Sequence, residues 1–197
     1  MVNERANAYI WLIRHSAVVV QPETPARDWR LSADGRFRCH LLAQAMNASP
    51  ILPTRIVTSE EPKARETGAI LADLWRVPWQ PAPGLHEHDR HGVPFLDKAA
   101  FETAVRQFFA RPDSLVWGRE TAVTARKRIE TAVHTQRQTF PDDTLAIVTH
   151  GTVLSLLVHH YNPQPDPFAF WQALTLPQAF LLTSPSLSLV AAYPFAP

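Results

Sequence analysis

Three apolar runs punctuate the chain, and each is short enough to be a strand. Tyr9-Ile10-Trp11-Leu12-Ile13 stops at Arg14-His15-Ser16, Arg55-Ile56-Val57-Thr58 stops at Ser59, and Thr144-Leu145-Ala146-Ile147-Val148-Thr149 stops at His150-Gly151. The first and third are apolar nearly throughout rather than alternating, as strands covered on both faces of a parallel sheet are, and the second is a short β-branched run. Between them the spacing changes to three and four. Phe37, Leu41 and Ala45, with Leu42, predict an amphipathic helix over 33–47 with Ser32 as its cap. Ala64, Gly68, Leu71 and Trp75 predict a second helix, opened by Ser59 with Pro62 in its first turn. Phe101, Val105, Phe108 and Phe109 mark a third, stopped by Pro112, and Ala122, Ala125, Ile129 and Ala132 a fourth over 119–138. Val153, Leu154, Leu156, Leu157 and Val158 begin another helix directly after His150-Gly151, and a short one follows the proline-rich turn at 163–167. Residues 179–182 and 187–190, joined across Pro185, read as a hairpin at one sheet edge. Residues 17–31 and 76–97 are broken by prolines and read as loops. Strands alternating with helices predict one α/β domain over 1–197: a three-layer α/β/α sandwich with a mostly parallel central sheet and an antiparallel edge strand.

In such sheets ligands bind beyond the carboxyl ends of the strands. Two strands end there in a histidine, His15 and His150, and Arg14 precedes the first. Arg65 lies near the start of the second helix and is expected at the same rim. Guanidinium groups grip phosphate oxygens in pairs, and a helix opening at His150 adds the positive end of its dipole. The rim therefore suits a phosphoryl group.

Composition narrows the partners. A net charge of +1 makes no case for nucleic acid or an anionic membrane, so any positive field is local. Six glycines among 197 residues argue against a glycine-rich nucleotide loop. Cys39 is the sole cysteine, no apolar run approaches the roughly 20 residues of a membrane helix, and the N-terminal residues are polar. The expected location is the cytoplasm. Arg126, Lys127, Arg128 and Arg137 on the fourth helix read as a solvated face.

Five segments together resemble the histidine phosphatase (phosphoglycerate mutase-like) superfamily. Leu12-Ile13-Arg14-His15-Ser16 is similar to its Arg-His-Gly signature, and Leu31-Ser32-Ala33-Asp34-Gly35 to the Leu-Thr-x-x-Gly that opens its first helix. Thr58-Ser59 with Lys63-Ala64-Arg65-Glu66-Thr67 resembles its Ser-Ser…Arg-Ala-x-x-Thr block. Leu85-His86-Glu87 resembles its acid loop and Val148-Thr149-His150-Gly151 its second-histidine motif. The resemblance implies a phosphatase without cofactor or metal. His15 would take the phosphoryl group as phosphohistidine. Arg14, Arg65 and His150 would bind its oxygens, and Glu87 would protonate the leaving oxygen and then activate water. Its substrate would be a phosphorylated small molecule or phosphoprotein; the oligomeric state stays open. Rival readings are a mutase-type phosphoryl transfer and a non-catalytic member that binds a phosphorylated ligand.

The departures from the family pattern bear on those rivals. Ser16 stands where the family has Gly; its hydroxyl is either a further phosphate donor or a residue tolerated at a turn. The Glu and Asn that continue the mutase signature are replaced by Ala17-Val18-Val19-Val20-Gln21, which counts against a mutase. After Glu87 the family's Gly-x-x-x-Gly spacing is missing and Gly92 stands alone; Asp89 is the substitute acid if Glu87 points away. Arg90 and its neighbouring histidines are candidates for substrate recognition, and Trp29 and Trp117 for pocket lining. His86, Glu87, His88, Asp89 and His91 do not match the helical zinc pattern, because Arg90 stands where the second His belongs.

Overall fold

Alternate residues of the first strand feed two cores. Ile10 and Leu12 enter one, Trp11 and Ile13 the other, and all four are fully buried. The computed structural model describes residues 8–163 and 166–195. The polar N-terminal segment and part of the proline-rich turn near 165 lie outside these residues. In chain order the elements are β1 (Tyr9–Arg14), α1 (Ala33–Met46), β2 (Arg55–Thr58), α2 (Pro62–Trp75), β3 (Trp79–Pro81), α3 (Lys98–Ala110), α4 (Ala122–Thr139), β4 (Leu145–Thr149), α5 (Gly151–Tyr161), α6 (Pro167–Ala173), β5 (Gln178–Thr183) and β6 (Leu189–Pro194). A single 3₁₀ turn, Ala26–Asp28, interrupts the loop after β1.

The sheet order is β3-β2-β4-β1-β5-β6. The first four strands run parallel; β5 joins β1 antiparallel and β6 joins β5 antiparallel. This is the expected α/β sandwich with an antiparallel edge. Leu42 and Met46 of α1 and Leu71 of α2 cover Trp11, Ile13, Ile56 and Val148 on one face. Helices α3 to α6 cover Ile10, Leu12, Val57 and Ile147 on the other, through Phe108, Ile129, Leu154 and Trp171 among others. Each fully buried Leu or Ile contributes roughly 1.5–3 kcal/mol. Among the described residues no helix is long and apolar enough to cross a membrane.

Three local expectations are corrected. The buried stripe of α1 is Cys39, Leu42, Ala43 and Met46, while Phe37 is 61% exposed. The helix is phased by its first turn, where Gly35 packs so tightly on the loop after β1 that a Cβ there would lie 1.9 Å from the Ala17 carbonyl oxygen. Ser59 does not cap α2; Glu61 occupies that position and the Ser59 hydroxyl bonds elsewhere. The loop at 76–97 contains β3, a three-residue edge strand in which Pro81 is tolerated because, among the described residues, no strand pairs with its outer side.

Candidate active site

Strand pairing places the two histidines side by side. β1 and β4 are neighbours with Arg14 opposite Thr149, and the His15 amide continues the ladder by donating to the Thr149 carbonyl at 2.9 Å. Their next residues, His15 and His150, therefore leave the sheet together, with ring centroids 5.1 Å apart and planes at 60°. Strand β2 flanks β4 on its other side, and Ser59 follows it, its amide on the Val148 carbonyl. The Ser59 hydroxyl then meets His150 Nε2 at 2.8 Å.

The ring of His15 is oriented by its own turn. Its Nδ1 lies 2.8 Å from the Ser16 carbonyl oxygen, which only accepts, so Nδ1 carries the proton and Nε2 keeps its lone pair. Burial, then the proximity of His150, Lys63 and Arg14, hold His15 well below the usual histidine range, against a smaller opposing pull from the Ser16 carbonyl. Burial and then the Lys63 charge do the same to His150, although Glu87 opposes them. Both rings are neutral near pH 7.

Arg14 turns its guanidinium toward the start of α5. Its Nη1 donates to the Leu174 carbonyl at 2.7 Å, and its Nε is buried with no partner. Gly151 leaves room for it, since a Cβ there would come within 3.0 Å of that Nε. Burial lowers Arg14 to about 10, so it stays cationic. The Nδ1 of His150 is likewise buried without a partner.

Arg65 does not join this cluster. It is exposed and lines a separate hollow of about 260 Å³ with Arg30, Pro62, Glu66 and Trp79. Lys63 is the cation that enters the site. It is buried, its ammonium donates to the Ala26 carbonyl at 2.7 Å and pairs with Glu61. Helical phase explains the exchange. Lys63 and Thr67 are one turn apart on the face toward β1, where the Thr67 hydroxyl accepts from the Ser16 amide at 3.0 Å. Arg65, two residues from Lys63, projects from the far side. Lys63 directly precedes Ala64 as the family's Arg precedes its Ala, and that spacing was the signal in the sequence. Of the two readings of Ser16, the geometry fits a residue tolerated at a turn and not a phosphate donor: its hydroxyl donates to the Gly35 carbonyl at 2.7 Å.

Glu87 lies at the site as a cap on α5. Its carboxylate accepts from the amides of His88 at 2.9 Å, Thr152 at 3.1 Å and Val153 at 3.2 Å, with Arg90 Nη2 3.5 Å away. Burial pushes this carboxyl up, but Arg90, His150 and the backbone donors together outweigh it and bring it to about 2. Arg90 is in turn seated over the rings of Phe101 at 5.0 Å and Trp117 at 5.4 Å. Asp89 turns its carboxylate back on its own loop, accepting from the His91 amide at 2.9 Å.

The loop that carries Glu87 is held by Arg128, which is not part of a solvated face. Its guanidinium donates to the carbonyls of Gly84 at 2.9 Å, His86 at 2.8 Å and Glu87 at 3.2 Å, and pairs with Glu120. Glu120 accepts from the Asp89 amide at 2.9 Å, and the Thr149 hydroxyl holds the Leu85 carbonyl at 2.7 Å. Arg128 borders the buried stripe of Ala125, Ile129 and Ala132, a position that hinted at burial. The loop's histidines diverge. His88 packs on Phe108 and Trp117, and His91 bonds Arg27. Among the described residues no group of three or more His, Cys, Asp or Glu is placed to hold a metal ion. Trp117 stacks with His88 and Phe101 in the wall behind Arg90, and Trp29 packs toward Phe95 in the outer loops.

The model of the histidine phosphatase superfamily (branch 1) matches residues 10–181. The chain belongs to that superfamily. Solved structures agree on the fold. The mycobacterial glucosyl-3-phosphoglycerate phosphatase is 19% identical, with 89% of this chain and 90% of that chain covered and a TM-score of 0.66. A mutant phosphoserine phosphatase from Entamoeba histolytica, in complex with phosphoserine, is 14% identical over 93% and 95% of the two chains, with a TM-score of 0.67. The putative phosphohistidine phosphatase SixA from Agrobacterium tumefaciens is 11% identical over 97% and 99%, with a TM-score of 0.63. A search of curated proteins finds no match.

Proposed function

We propose that this histidine phosphatase hydrolyses phosphomonoesters through a phosphohistidine on His15. The observation that carries the reading is the His15 ring. Its Nδ1–H is committed to the Ser16 carbonyl, leaving the Nε2 lone pair beside His150, in a centre with Arg14 and Lys63. The phosphoryl oxygens would meet Arg14 and His150, each of which has an unmet buried nitrogen, and the ammonium of Lys63. Nε2 attacks phosphorus in line as the bond to the leaving oxygen breaks, and the surrounding cations stabilise the spread charge. Glu87 gives the leaving oxygen a proton. It then takes one from the water that splits the phosphorus–nitrogen bond, releasing phosphate and free His15. A carboxyl held near 2 is ready for the second step; the first needs a proton brought in with the substrate. The cycle as proposed draws on the chain's own side chains, one water and the proton that enters with the substrate.

Substrate size follows from the loops. Lys63 is tied to Ala26 in the loop after β1, and Arg27 of that loop reaches His91 at 3.0 Å. With His15 only 8% exposed, these bridges favour a small phosphorylated molecule over a folded phosphoprotein. The absence of a second cysteine and of a membrane-length apolar run is in keeping with a cytoplasmic site of action. Mixing the protein with an aryl phosphate in the presence of chelator and quenching in base should trap one phosphoryl mass on His15. His15→Ala should lose turnover by roughly 10³-fold or more while the variant still folds cooperatively, checked by its unfolding transition. Phosphate found on another residue, or turnover surviving in His15→Ala, would remove the assignment.

A further inference from the structure

Glu61 has no part in the cycle above, yet it touches three members of the site. One carboxylate oxygen lies 3.4 Å from His150 Nε2 and accepts the Glu87 amide at 2.9 Å. The other pairs with the ammonium of Lys63. Its side chain is only 11% exposed. A carboxylate therefore holds Lys63, a cation that the phosphoryl group would use, and lies against the Nε2 side of His150.

The charges around it can be counted. Lys63 of α2, Arg14 of β1 and Arg90 of the acid loop are cations. Glu61 and Glu87 are the facing carboxylates. His15, His150 and His86 of the acid loop, which also faces Glu61, are all held below the ordinary histidine range, chiefly by burial. Arg128 and Glu120, behind His86, pair with each other and cancel, and Asp89 is turned onto the His91 amide, so the three cations against two carboxylates at the centre leave one net positive charge. A phosphoryl dianion carries two negative charges, and an unmatched charge in a buried site is costly.

We propose that Glu61 tunes the pocket to a singly charged phosphoryl group, so that phosphate enters together with one proton. This rests on the reading of the site as a phosphoryl site. The proton has a use there: Glu87 is ionised in the empty site, and the proton arriving with the anion is the one it passes to the leaving oxygen. Glu61 acts through its neighbours and is a specificity-determining and positioning residue.

Calorimetric titration of inorganic phosphate into the wild-type protein at about pH 8, where phosphate is mainly dianionic, tests this in buffers of different ionisation enthalpy. The expected result is uptake of about one proton per phosphate bound. Glu61→Gln should bring the net charge to two and reduce the uptake to about zero, and it should bind sulfate, a fixed dianion, about tenfold more tightly than wild type. Wild-type binding without proton uptake overturns the proposal, and this measurement stands even if the variant does not fold. A folded Glu61→Gln that matches wild type in both proton uptake and sulfate affinity overturns it as well. Failure of phosphate to bind either protein would overturn the phosphoryl-site reading itself. Trapping of phosphate on His15 with no proton uptake would overturn the Glu61 proposal alone.

Discussion

His15 and His150 stand on adjacent paired strands, whereas Glu87 stands in a loop with no ladder of its own. The histidines are positioned by backbone: the register of β1 on β4 carries both to the same rim. The carboxylate is positioned by side chains from distant elements, Arg128 and Glu120 on one side and the first turn of α5 on the other. A floor built from a parallel sheet tolerates much surface change, because its hydrogen bonds are repeated along each strand. A wall held by one guanidinium is lost with that guanidinium. The two parts of the site should therefore fail differently.

The largest expected effect in the wall is at Glu87 itself. Glu87→Gln should lower turnover of an aryl phosphate by about 10³-fold, within the range for loss of a proton-transfer group, while Asp89→Asn changes it little. The reverse ranking would move the acid to Asp89. The same variant tests the cap on α5. A carboxyl lowered from 4.5 to about 2 adds stability that is present above about pH 4.5 and is lost as pH falls toward 2. The stability difference between wild type and Glu87→Gln should shrink by about 3 kcal/mol over that interval in denaturant titrations. A constant difference would mean that the carboxylate is not held by those amides.

Lys63→Ala, in the first turn of α2 beside the floor, should cost about 10²-fold in kcat/KM by removing one cation from the developing charge. Arg128→Met should cost about tenfold in kcat with a smaller change in KM, because it loosens the loop and not the phosphoryl site. It should also lower stability by about 2 kcal/mol, leaving Glu120 without its partner. If Arg128→Met instead raised KM alone, the loop would be a binding element and not a positioning one. Arg65→Ala should stay within about twofold of wild type in turnover of a small aryl phosphate, as expected of an exposed charge outside the site. A loss as large as that of Lys63→Ala would bring the outer hollow into the reaction.

Much of this was legible from residue patterns. The strands β1, β2 and β4 declared themselves by length and apolar character, and their ends placed His15, Arg14 and His150 at one rim. The edge hairpin was marked by its leucine-rich runs on either side of Pro185, although its second strand runs over Leu189–Pro194 and not from 187. What misled was phase. On α1 two overlapping apolar registers were available, and the tight approach of Gly35 to Ala17 selected the one that exposes Phe37. On α2 the preference for Arg as a phosphate ligand pointed to Arg65, but rotation about the helix axis buries Lys63. On α4 a row of basic residues looked solvated until the acid loop, some forty residues earlier in the chain, was found folded over Arg128.

The amino-acid sequence by itself therefore determined the helices, all strands but β3, the parallel sheet and the histidine pair, because apolar periodicity and strand ends are local properties. Only the tertiary structure decided which cation enters the site, why Glu87 is ionised, and that Glu61 shares the pocket. Those depend on how side chains from separate elements divide a few donors and charges in a space closed to water, and no periodicity along the chain records that division.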